Sequence, residues 1–253
     1  MRYRLILLLL LTPVLLGAQE RTDKKLERKI AAMIKDYHGE IGIYVKDLRK
    51  EKVVRINADT IFPTASIVKV PILLGIMDRM QKGELNYDSS FTYKDSLFYS
   101  GSDILGSFKE NATISLKKLI MLMLTTSDNT ASLWLQSLAG TGTRINELLS
   151  SLGYENTRVN SRTPGREGFR AIYQWGMTTP NEMGSIFEKI YRQRFFTPAI
   201  CERMLRCLGR NFWDEDEGIS MIPPTIEVFS KNGCVDASRS EVMLVNAPNR
   251  PYV

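Results

Sequence analysis

The sequence predicts an α+β domain, in which an antiparallel sheet is flanked by helices, an all-helical lobe is inserted, and a cleft lies between the two. Apolar and polar residues alternate in strand-like fashion near both ends of the chain. Between residues 115 and 190, apolar residues recur at helical spacing almost throughout. A length of 253 residues with 43% hydrophobic content is enough to bury a core.

Residues 1–18 have the layout of a secretory signal peptide. Arg2 and Arg4 precede a leucine-rich run at residues 5–11, and Gly17-Ala18 supplies a small-residue cleavage site. The apolar run is too short for a stable membrane span. We therefore expect a periplasmic or secreted protein whose mature domain comprises residues 19–253.

The elements of this domain follow in order from local patterns. Helical spacing predicts an amphipathic helix at residues 23–37, and alternation around a charged turn predicts a hairpin of strands 39–45 and 53–57. The same criteria predict helices that open after Ala65 and at residues 116–124, 130–138, 144–152, 181–191 and 198–208, and strands at residues 226–230 and 241–245. The polar stretch 153–177 is long enough that we expect a functional loop.

Composition argues against several functions. The net charge of +6 is spread along the chain among acidic residues, so nucleic-acid binding is not expected. The single histidine, His38, cannot build a multi-histidine zinc site, and its distance in sequence from the motifs below disfavours a Ser-His-Asp triad. Cys201 and Cys207 face away from one another on a predicted helix, which disfavours a disulfide between them. No metal or organic cofactor is expected.

Ser66-Ile67-Val68-Lys69 is the first motif with chemical meaning. A chain of this length contains about one S-x-x-K by chance, so the pattern alone is weak. Its position is more informative, because Ser66 is predicted at a helix N-terminus and Lys69 shares its face one turn later. A partly desolvated Lys69 has a lowered pKa and can take the Ser66 proton. The alternative is an N-cap serine beside a surface lysine.

Ser127-Asp128-Asn129 lies between two predicted helices. Ser127 can pass a proton to a leaving nitrogen, and Asn129 can bind a substrate amide. The alternative is an Asx turn that caps the following helix, a role that we assign to Asp128 in either case.

Lys231-Asn232-Gly233 ends a predicted strand. Lys231 can bind a substrate carboxylate, and Gly233 allows a ligand to lie against the strand. This motif is weak alone, since lysine is common after a strand.

In this order, the three motifs resemble those of class A β-lactamases and the related penicillin-recognising serine enzymes, which are S-x-x-K, S-D-N and K-T-G. The resemblance covers roughly residues 24–253 and includes three flanking segments: Phe62-Pro63-Thr64-Ala65, Thr178-Thr179-Pro180 and Ile222-Pro223-Pro224-Thr225. It implies that Ser66 is the nucleophile, Lys69 its base and Ser127 the proton shuttle. It further implies a set of substrate ligands and an oxyanion hole formed by the backbone N–H groups of Ser66 and Cys234. The implied substrate ligands are Asn129, Lys231, Asn232 and Gly233, with Arg239 as a further candidate for a substrate carboxylate.

The chain departs from the family pattern at the loop. Thr163-Pro164 stands where the family has Glu-Pro, whose carboxylate activates the deacylating water. Glu167 stands one turn later, either as a relocated base or as a solvated loop glutamate. Ser161 and Gly176 replace the family's Arg-Asp ion pair, so we expect the loop to open easily.

Two further departures lie towards the C-terminus. Asn232 replaces the Thr or Ser of K-T-G with a bulkier amide. The sequence stops at Pro251-Tyr252-Val253, where the family's next strand and a following helix begin, so we expect those elements to be missing from a sequence that is cut short.

These observations leave three hypotheses. The leading one is an exported serine β-lactamase that hydrolyses β-lactam antibiotics through an acyl-enzyme on Ser66. The first alternative is a penicillin-binding protein acting on acyl-D-alanyl-D-alanine peptides, which acylates but deacylates slowly. The second is a non-catalytic binding module on the same fold. In each case we expect a monomer with a small-molecule ligand.

Overall fold

Helices and strands follow one another in the α+β order that the sequence predicts. The structure is a computed structural model that describes residues 20–209, 211–213, 215 and 218–253. The predicted signal peptide lies outside these residues. The strands are β1 (Arg21–Thr22), β2 (Ile43–Asp47), β3 (Lys52–Ile56), β4 (Phe62–Pro63), β5 (Ser90–Thr92), β6 (Thr113–Ser115), β7 (Arg158–Val159), β8 (Gly176–Thr178), β9 (Val228–Val235) and β10 (Ser238–Val245). The helices are α1 (Lys24–Met33), α2 (Lys69–Gln81), α3 (Leu116–Thr125), α4 (Asn129–Leu138), α5 (Thr141–Ser151), α6 (Glu167–Tyr173), α7 (Pro180–Tyr191) and α8 (Pro198–Leu208).

The main sheet is built from both ends of the chain. β2 and β3 form the predicted hairpin, to which β1 adds in parallel. β9 and β10 form a second antiparallel pair. Tyr252 joins the two halves, because it bridges to Asp47 of β2 and to Val245 of β10. Lys46 and Val253 also exchange backbone hydrogen bonds of 2.8 and 3.0 Å, so the last residues occupy a central place in the sheet.

Helix α2 lies at the centre of the core. Its residues Leu73, Leu74 and Ile76 are fully buried, and each such side chain contributes about 1.5–3 kcal/mol of burial free energy. α2 packs against α4 and α5. Gly75 permits the close approach of α5, because a Cβ there would lie 2.8 Å from Ile145 Cγ1. The segment that carries Ser66 therefore leads into a rigid, buried helix.

Three predicted boundaries are wrong in detail. Ser66 lies in a 3₁₀ helix, Ala65–Val68, and α2 begins only at Lys69. Pro71 explains this start, because a residue without an N–H fits only the first turn of a helix. The Lys231 motif lies within β9 rather than at its end, since β10 extends the ladder to Val235. The stretch 153–177 contains α6 and the paired strands β7 and β8.

The described residues also show where the cysteines and the histidine lie. Cys201 and Cys207 are buried free thiols. His38 is exposed. None of the helices in the described ranges is both long enough and apolar enough to span a membrane.

Candidate active site

Lys69 is the residue on which the site converges. Its Nζ lies 3.1 Å from Ser66 Oγ and 2.9 Å from Ser127 Oγ. The amine also donates to the backbone oxygen of Ser127 and, at 3.1 Å, to Asn129 Oδ1. The structure thus brings together the residues predicted as nucleophile, base, proton shuttle and amide ligand.

Burial lowers the pKa of the Lys69 amine well below its usual value, because the side chain is only 1% exposed. The positive charge of Lys231 lowers this pKa further, whereas the Asp128 carboxylate raises it. The oxygens that Lys69 contacts are hydroxyl, amide and carbonyl oxygens, none of which neutralises an ammonium group. A neutral amine has a lone pair and can accept a proton from the hydroxyl of Ser66.

The Ser127-Asp128-Asn129 turn is held by the buried Asp128. One of its carboxylate oxygens accepts the N–H of Ala131 at 2.7 Å and caps α4. The other accepts the N–H groups of Ile104 and Leu105 at 2.6 and 2.9 Å. The predicted capping role of Asp128 is confirmed, and Ser127 beside it has a φ of +59°, which is uncommon for a side chain other than glycine. This strained turn directs the Ser127 hydroxyl towards Lys69.

Gly233 places β9 directly against the nucleophile segment. A Cβ at this position would lie 2.8 Å from Ser66 N and 2.7 Å from Thr64 O, so no larger residue fits without displacing the backbone. Ser240 of β10 fixes the same segment, since its Oγ donates to Thr64 O at 2.9 Å. The close approach is made by Gly233, and Cys234 is the next residue along β9. The oxyanion hole implied for Ser66 and Cys234 stays a prediction.

Lys231 and Asn232 precede Gly233 in β9 and are buried, with exposed fractions of 0% and 7%. The Lys231 ammonium donates to both the backbone and the side-chain oxygen of Asn232, each at 2.9 Å. Asn211 donates to the same side-chain oxygen, also at 2.9 Å. The Asn232 side-chain oxygen therefore accepts hydrogen bonds from both Lys231 and Asn211. Sequence reasoning missed Asn211, because it follows α8 in a segment without a motif.

Arg239 pairs across the hairpin with Cys234. Its guanidinium contacts the Cys234 thiol and donates to Val235 O at 3.0 Å. Cys234 is exposed, and Arg239 lies towards the solvent end of the β9–β10 ladder. The predicted role of Arg239 as a carboxylate ligand stays a prediction.

Thr163 and Glu167 form hydrogen bonds within the predicted loop. Thr163 Oγ1 donates to Ser161 O at 3.0 Å, and its side chain faces Gly142 of α5. Glu167 begins α6 on the exposed side, where its carboxylate accepts the N–H of Gly165 at 3.2 Å. Within the described residues, no hydrogen bond joins Glu167 to Ser66. The assignment of Glu167 as the deacylating base stays a prediction.

The predicted loop is held by other bonds in place of the family's ion pair. The N–H groups of Asn160 and Ser161 both donate to Trp175 O, at 2.9 and 3.0 Å. The buried amide of Gln136 donates to Ser161 O at 2.6 Å and accepts the Ser161 hydroxyl at 3.2 Å. At the start of the loop, Glu182 of α7 accepts three backbone N–H groups, those of residues 155, 156 and 157. These bonds hold the segment without the ion pair, and the expectation that it opens easily stays a prediction.

The Beta-lactamase enzyme family model matches residues 25–253. The chain belongs to this family. It is 23% identical to β-lactamase VEB-1 of Pseudomonas aeruginosa over 193 residues, which are 75% of this chain and 64% of that relative. It is 24% identical to a β-lactamase of Bacteroides uniformis over 242 residues, which are 92% of this chain and 80% of the relative. The chain thus spans a little under two thirds of VEB-1.

Solved β-lactamase and penicillin-binding structures share the fold. PBP-A superposes with a TM-score of 0.82 at 22% identity, over 92% of this chain and 86% of PBP-A. A class A β-lactamase from Bacteroides cellulosilyticus superposes with a TM-score of 0.79 at 23% identity, over 90% of this chain and 86% of that one. A point mutant of PBP-A has been solved as an acyl-enzyme complex with penicillin G. The predicted α+β fold and family resemblance are confirmed.

The β-lactamase-family site shows no metal-binding cluster in the described ranges, where no three His, Cys, Asp or Glu side chains are placed to hold an ion. Its polar groups are instead hydroxyl, amine and amide groups around Lys69. Such groups can transfer protons and bind a carbonyl or carboxylate.

Proposed function

We propose that this protein is an exported β-lactam hydrolase that forms an acyl-enzyme on Ser66. The observation that carries the proposal is the placement of one buried amine, Lys69 Nζ, within hydrogen-bond distance of both Ser66 Oγ and Ser127 Oγ. Membership of the β-lactamase family supports the substrate class. The acyl-enzyme of a PBP-A mutant with penicillin G supports the covalent step on this fold.

The acylation step follows from the geometry. Neutral Lys69 takes the Ser66 proton while Ser66 Oγ attacks the β-lactam carbonyl carbon. The backbone N–H groups of Ser66 and Cys234 stabilise the resulting oxyanion. The ring C–N bond then breaks, and the proton passes from Lys69 through the Ser127 hydroxyl to the departing nitrogen. Lys231 and Asn129 orient the substrate carboxylate and amide in this scheme.

Deacylation requires a base for the attacking water. After acylation the proton has left Lys69, so its amine is neutral again and lies next to the ester oxygen. We propose Lys69 as the base for this water, because it contacts Ser66 and Glu167 does not. Water then attacks the ester carbonyl, the bond to Ser66 Oγ breaks, and the proton returns to the serine.

The second candidate is a penicillin-binding, D-alanyl-D-alanine peptidase-like protein in which the β-lactam adduct persists. The positions of Thr163 against α5 and of Glu167 in solvent favour it, because neither offers a carboxylate to the deacylating water. A non-catalytic binding module is the third possibility. It predicts no covalent adduct.

One experiment separates these functions. Purified protein is mixed with a chromogenic cephalosporin, and intact masses are recorded over time beside the Ser66→Ala variant. Rapid colour with little adduct supports the lactamase function, and a persistent adduct supports the penicillin-binding function. Absence of both colour and adduct contradicts the two enzymatic proposals.

Export is proposed from the pattern of residues 1–18, with cleavage after Ala18. Expression of the full sequence in a Gram-negative host tests it. The periplasmic fraction should contain protein whose mass corresponds to a start at Gln19. Recovery of uncleaved protein from the cytoplasm would contradict the proposal.

A further inference from the structure

Residues 99–105 form a segment that is bonded directly to Asn129 of the candidate active site. Within this segment, Ser102 O accepts the N–H of Asn129 at 2.8 Å. A Cβ on Gly101 would lie 2.8 Å from Asn129 Nδ2, so the segment also packs against the Asn129 side chain. The oxygen of that side chain accepts from Lys69 at 3.1 Å. The position of the Asn129 amide therefore depends on this segment.

Two acidic side chains meet where the segment contacts the start of α4. The buried Asp128 accepts the N–H groups of Ile104 and Leu105 through one carboxylate oxygen, at 2.6 and 2.9 Å. The carboxyl group of Asp103 lies at hydrogen-bond distance from Asp128. Its Oδ2 accepts the N–H of Gly106 at 2.9 Å. Asp103 is thus placed between the backbone of the segment and the residue that caps α4.

The second oxygen of Asp103 indicates the form in which this pair is held. Oδ1 is buried and has no hydrogen-bond donor in the part of the chain that the structure describes. Two carboxylates cannot bond to each other, because each only accepts, whereas a protonated carboxyl donates one O–H. Asp128 already accepts three backbone N–H groups, so it is the acceptor and Asp103 is the donor. A proton on Oδ1 replaces repulsion between two charges with a charge-assisted hydrogen bond.

The surroundings of Asp103 favour this proton. Burial raises the pKa of the Asp103 carboxyl, and the charge of Asp128 raises it further. The nearby Thr130 hydroxyl and the N–H of Gly106 lower the pKa, but the net shift is upward. Asp103 therefore keeps its proton to a higher pH than an exposed aspartate does.

Two other titratable groups, Tyr93 and Lys69, face this pair. Tyr93 follows β5, and burial together with the surrounding carboxylates, among them Asp95 and Glu110, raises its pKa above the ordinary value of 10.0. Tyr93 thus stays protonated at neutral pH. Lys69 of α2 is the cation, and the charge of Asp128 raises its pKa against the larger effect of burial.

We propose that Asp103 is a positioning residue for acylation and that it acts in its protonated form. Its carboxyl donates to Asp128 and thereby holds the segment 99–105 against Asn129, whose amide binds the substrate. Ionisation of Asp103 replaces this bond with repulsion and loosens the segment. The inference rests on the proposed acylation of Ser66, and Asp103 acts on it through Asp128.

The test compares the wild type with Asp103→Asn, whose amide donates to Asp128 but cannot ionise. The second-order rate constant for acylation by a cephalosporin is measured by intact mass from pH 4.5 to pH 9. Lys69 titrates in both proteins, so the ratio of the wild-type rate to the variant rate removes its contribution. We expect this ratio to be highest at the lowest pH and to fall by about 5-fold as Asp103 ionises, as for two like charges at a partly exposed site.

A second variant and a matched control separate the proton from the side chain as a whole. Asp103→Ala removes the donor and should acylate roughly 10-fold more slowly than Asp103→Asn at every pH, because Asp128 loses a hydrogen bond. Should Asp103→Ala fail to fold, the comparison with Asp103→Asn decides alone. The control is Asp36→Asn, at an exposed aspartate after α1, and its ratio to the wild type should be the same at every pH.

Three outcomes overturn the inference. A ratio of wild type to Asp103→Asn that is constant across this pH range overturns it and leaves acylation standing. An equal fall of the ratio for Asp36→Asn does the same. Absence of an adduct on the wild type at every pH overturns the proposed function and this inference with it.

Discussion

The nucleophile cluster and the loop at residues 153–177 are held in different ways. Ser66 and Lys69 lie where a buried helix begins, and Lys69 is 1% exposed with its contacts directed at the site. The loop is held by hydrogen bonds to Gln136 of α4 and Glu182 of α7. Its own carboxylate, Glu167, is exposed to solvent. The polar groups of the nucleophile cluster face one another around Lys69, whereas the polar groups that contact the loop stabilise its conformation.

This difference affects the two proposed half-reactions, acylation and deacylation, in different ways. The proposed acylation uses groups around Lys69, which is buried and contacts both Ser66 and Ser127. Rapid deacylation in the family needs a carboxylate from the loop, where this chain has Thr163 facing α5. A loop can therefore be held by hydrogen bonds without any of them joining its carboxylate to Ser66.

The largest expected effect comes from removing the nucleophile. Ser66→Ala leaves no oxygen to form the ester, so covalent labelling by benzylpenicillin should disappear entirely. Intact mass spectrometry after one hour measures it, with Ser107→Ala, at an exposed serine of the 3₁₀ helix Leu105–Ser107, as the control. Labelling of Ser66→Ala at the wild-type level would disprove the proposed mechanism.

Removing the base should slow acylation without abolishing it. Lys69→Ala should lower the acylation rate by roughly 10²-fold or more, as expected for a lost general base. In the wild type, the rate should rise with pH to a plateau reached well below pH 10.5, because the lowered pKa of Lys69 makes its neutral form predominate there. This rise should be absent from Lys69→Ala. A wild-type rate that rises only as the pH approaches 10.5 would argue against Lys69 as the base.

A smaller effect is expected from the loop carboxylate. Since Glu167 is exposed and bonded to Gly165, Glu167→Gln should release the acyl group within about 2-fold of the wild-type rate. Thr163→Glu should speed release if the new carboxylate can turn away from Gly142, against which Thr163 packs. Time-resolved masses after a penicillin pulse measure both rates.

These variants decide between the two enzymatic functions. Accumulation of adduct in Glu167→Gln, with unchanged acylation, would show that Glu167 is the relocated base. A stable adduct on the wild type that Thr163→Glu releases would support the penicillin-binding function.

The smallest effect concerns the loop's own support. Glu182→Gln should increase hydrogen exchange at residues 155–157, because one carboxylate accepts all three of their N–H groups. The loss of stability should be about 1–3 kcal/mol. Glu202→Gln, which removes only an exposed pair with Arg206, is the matched control and should leave exchange unchanged. Unchanged hydrogen exchange in Glu182→Gln would show that the bonds to Gln136 and Trp175, and not those to Glu182, hold the loop.

The amino-acid sequence determined the family and the order of helices and strands, and it predicted that Ser66, Lys69 and Ser127 act together. Short motifs could do this because a catalytic serine and its lysine are one turn apart on a helix, a spacing that chain geometry imposes. The capping role of Asp128 was predictable for the same reason, since its bond to Ala131 N is local.

Tertiary structure alone decided what depends on residues distant along the chain. Lys69 meets Ser127 only because α2 and α4 pack together, and its pKa depends on burial and on Lys231 from the far end of the sequence. The loop's attachment through Gln136 and Glu182 was equally hidden, because polar residues in a helix pattern do not show which neighbour they will contact. Local spacing can be derived from the sequence, whereas burial and long-range hydrogen bonds exist only once the core has formed.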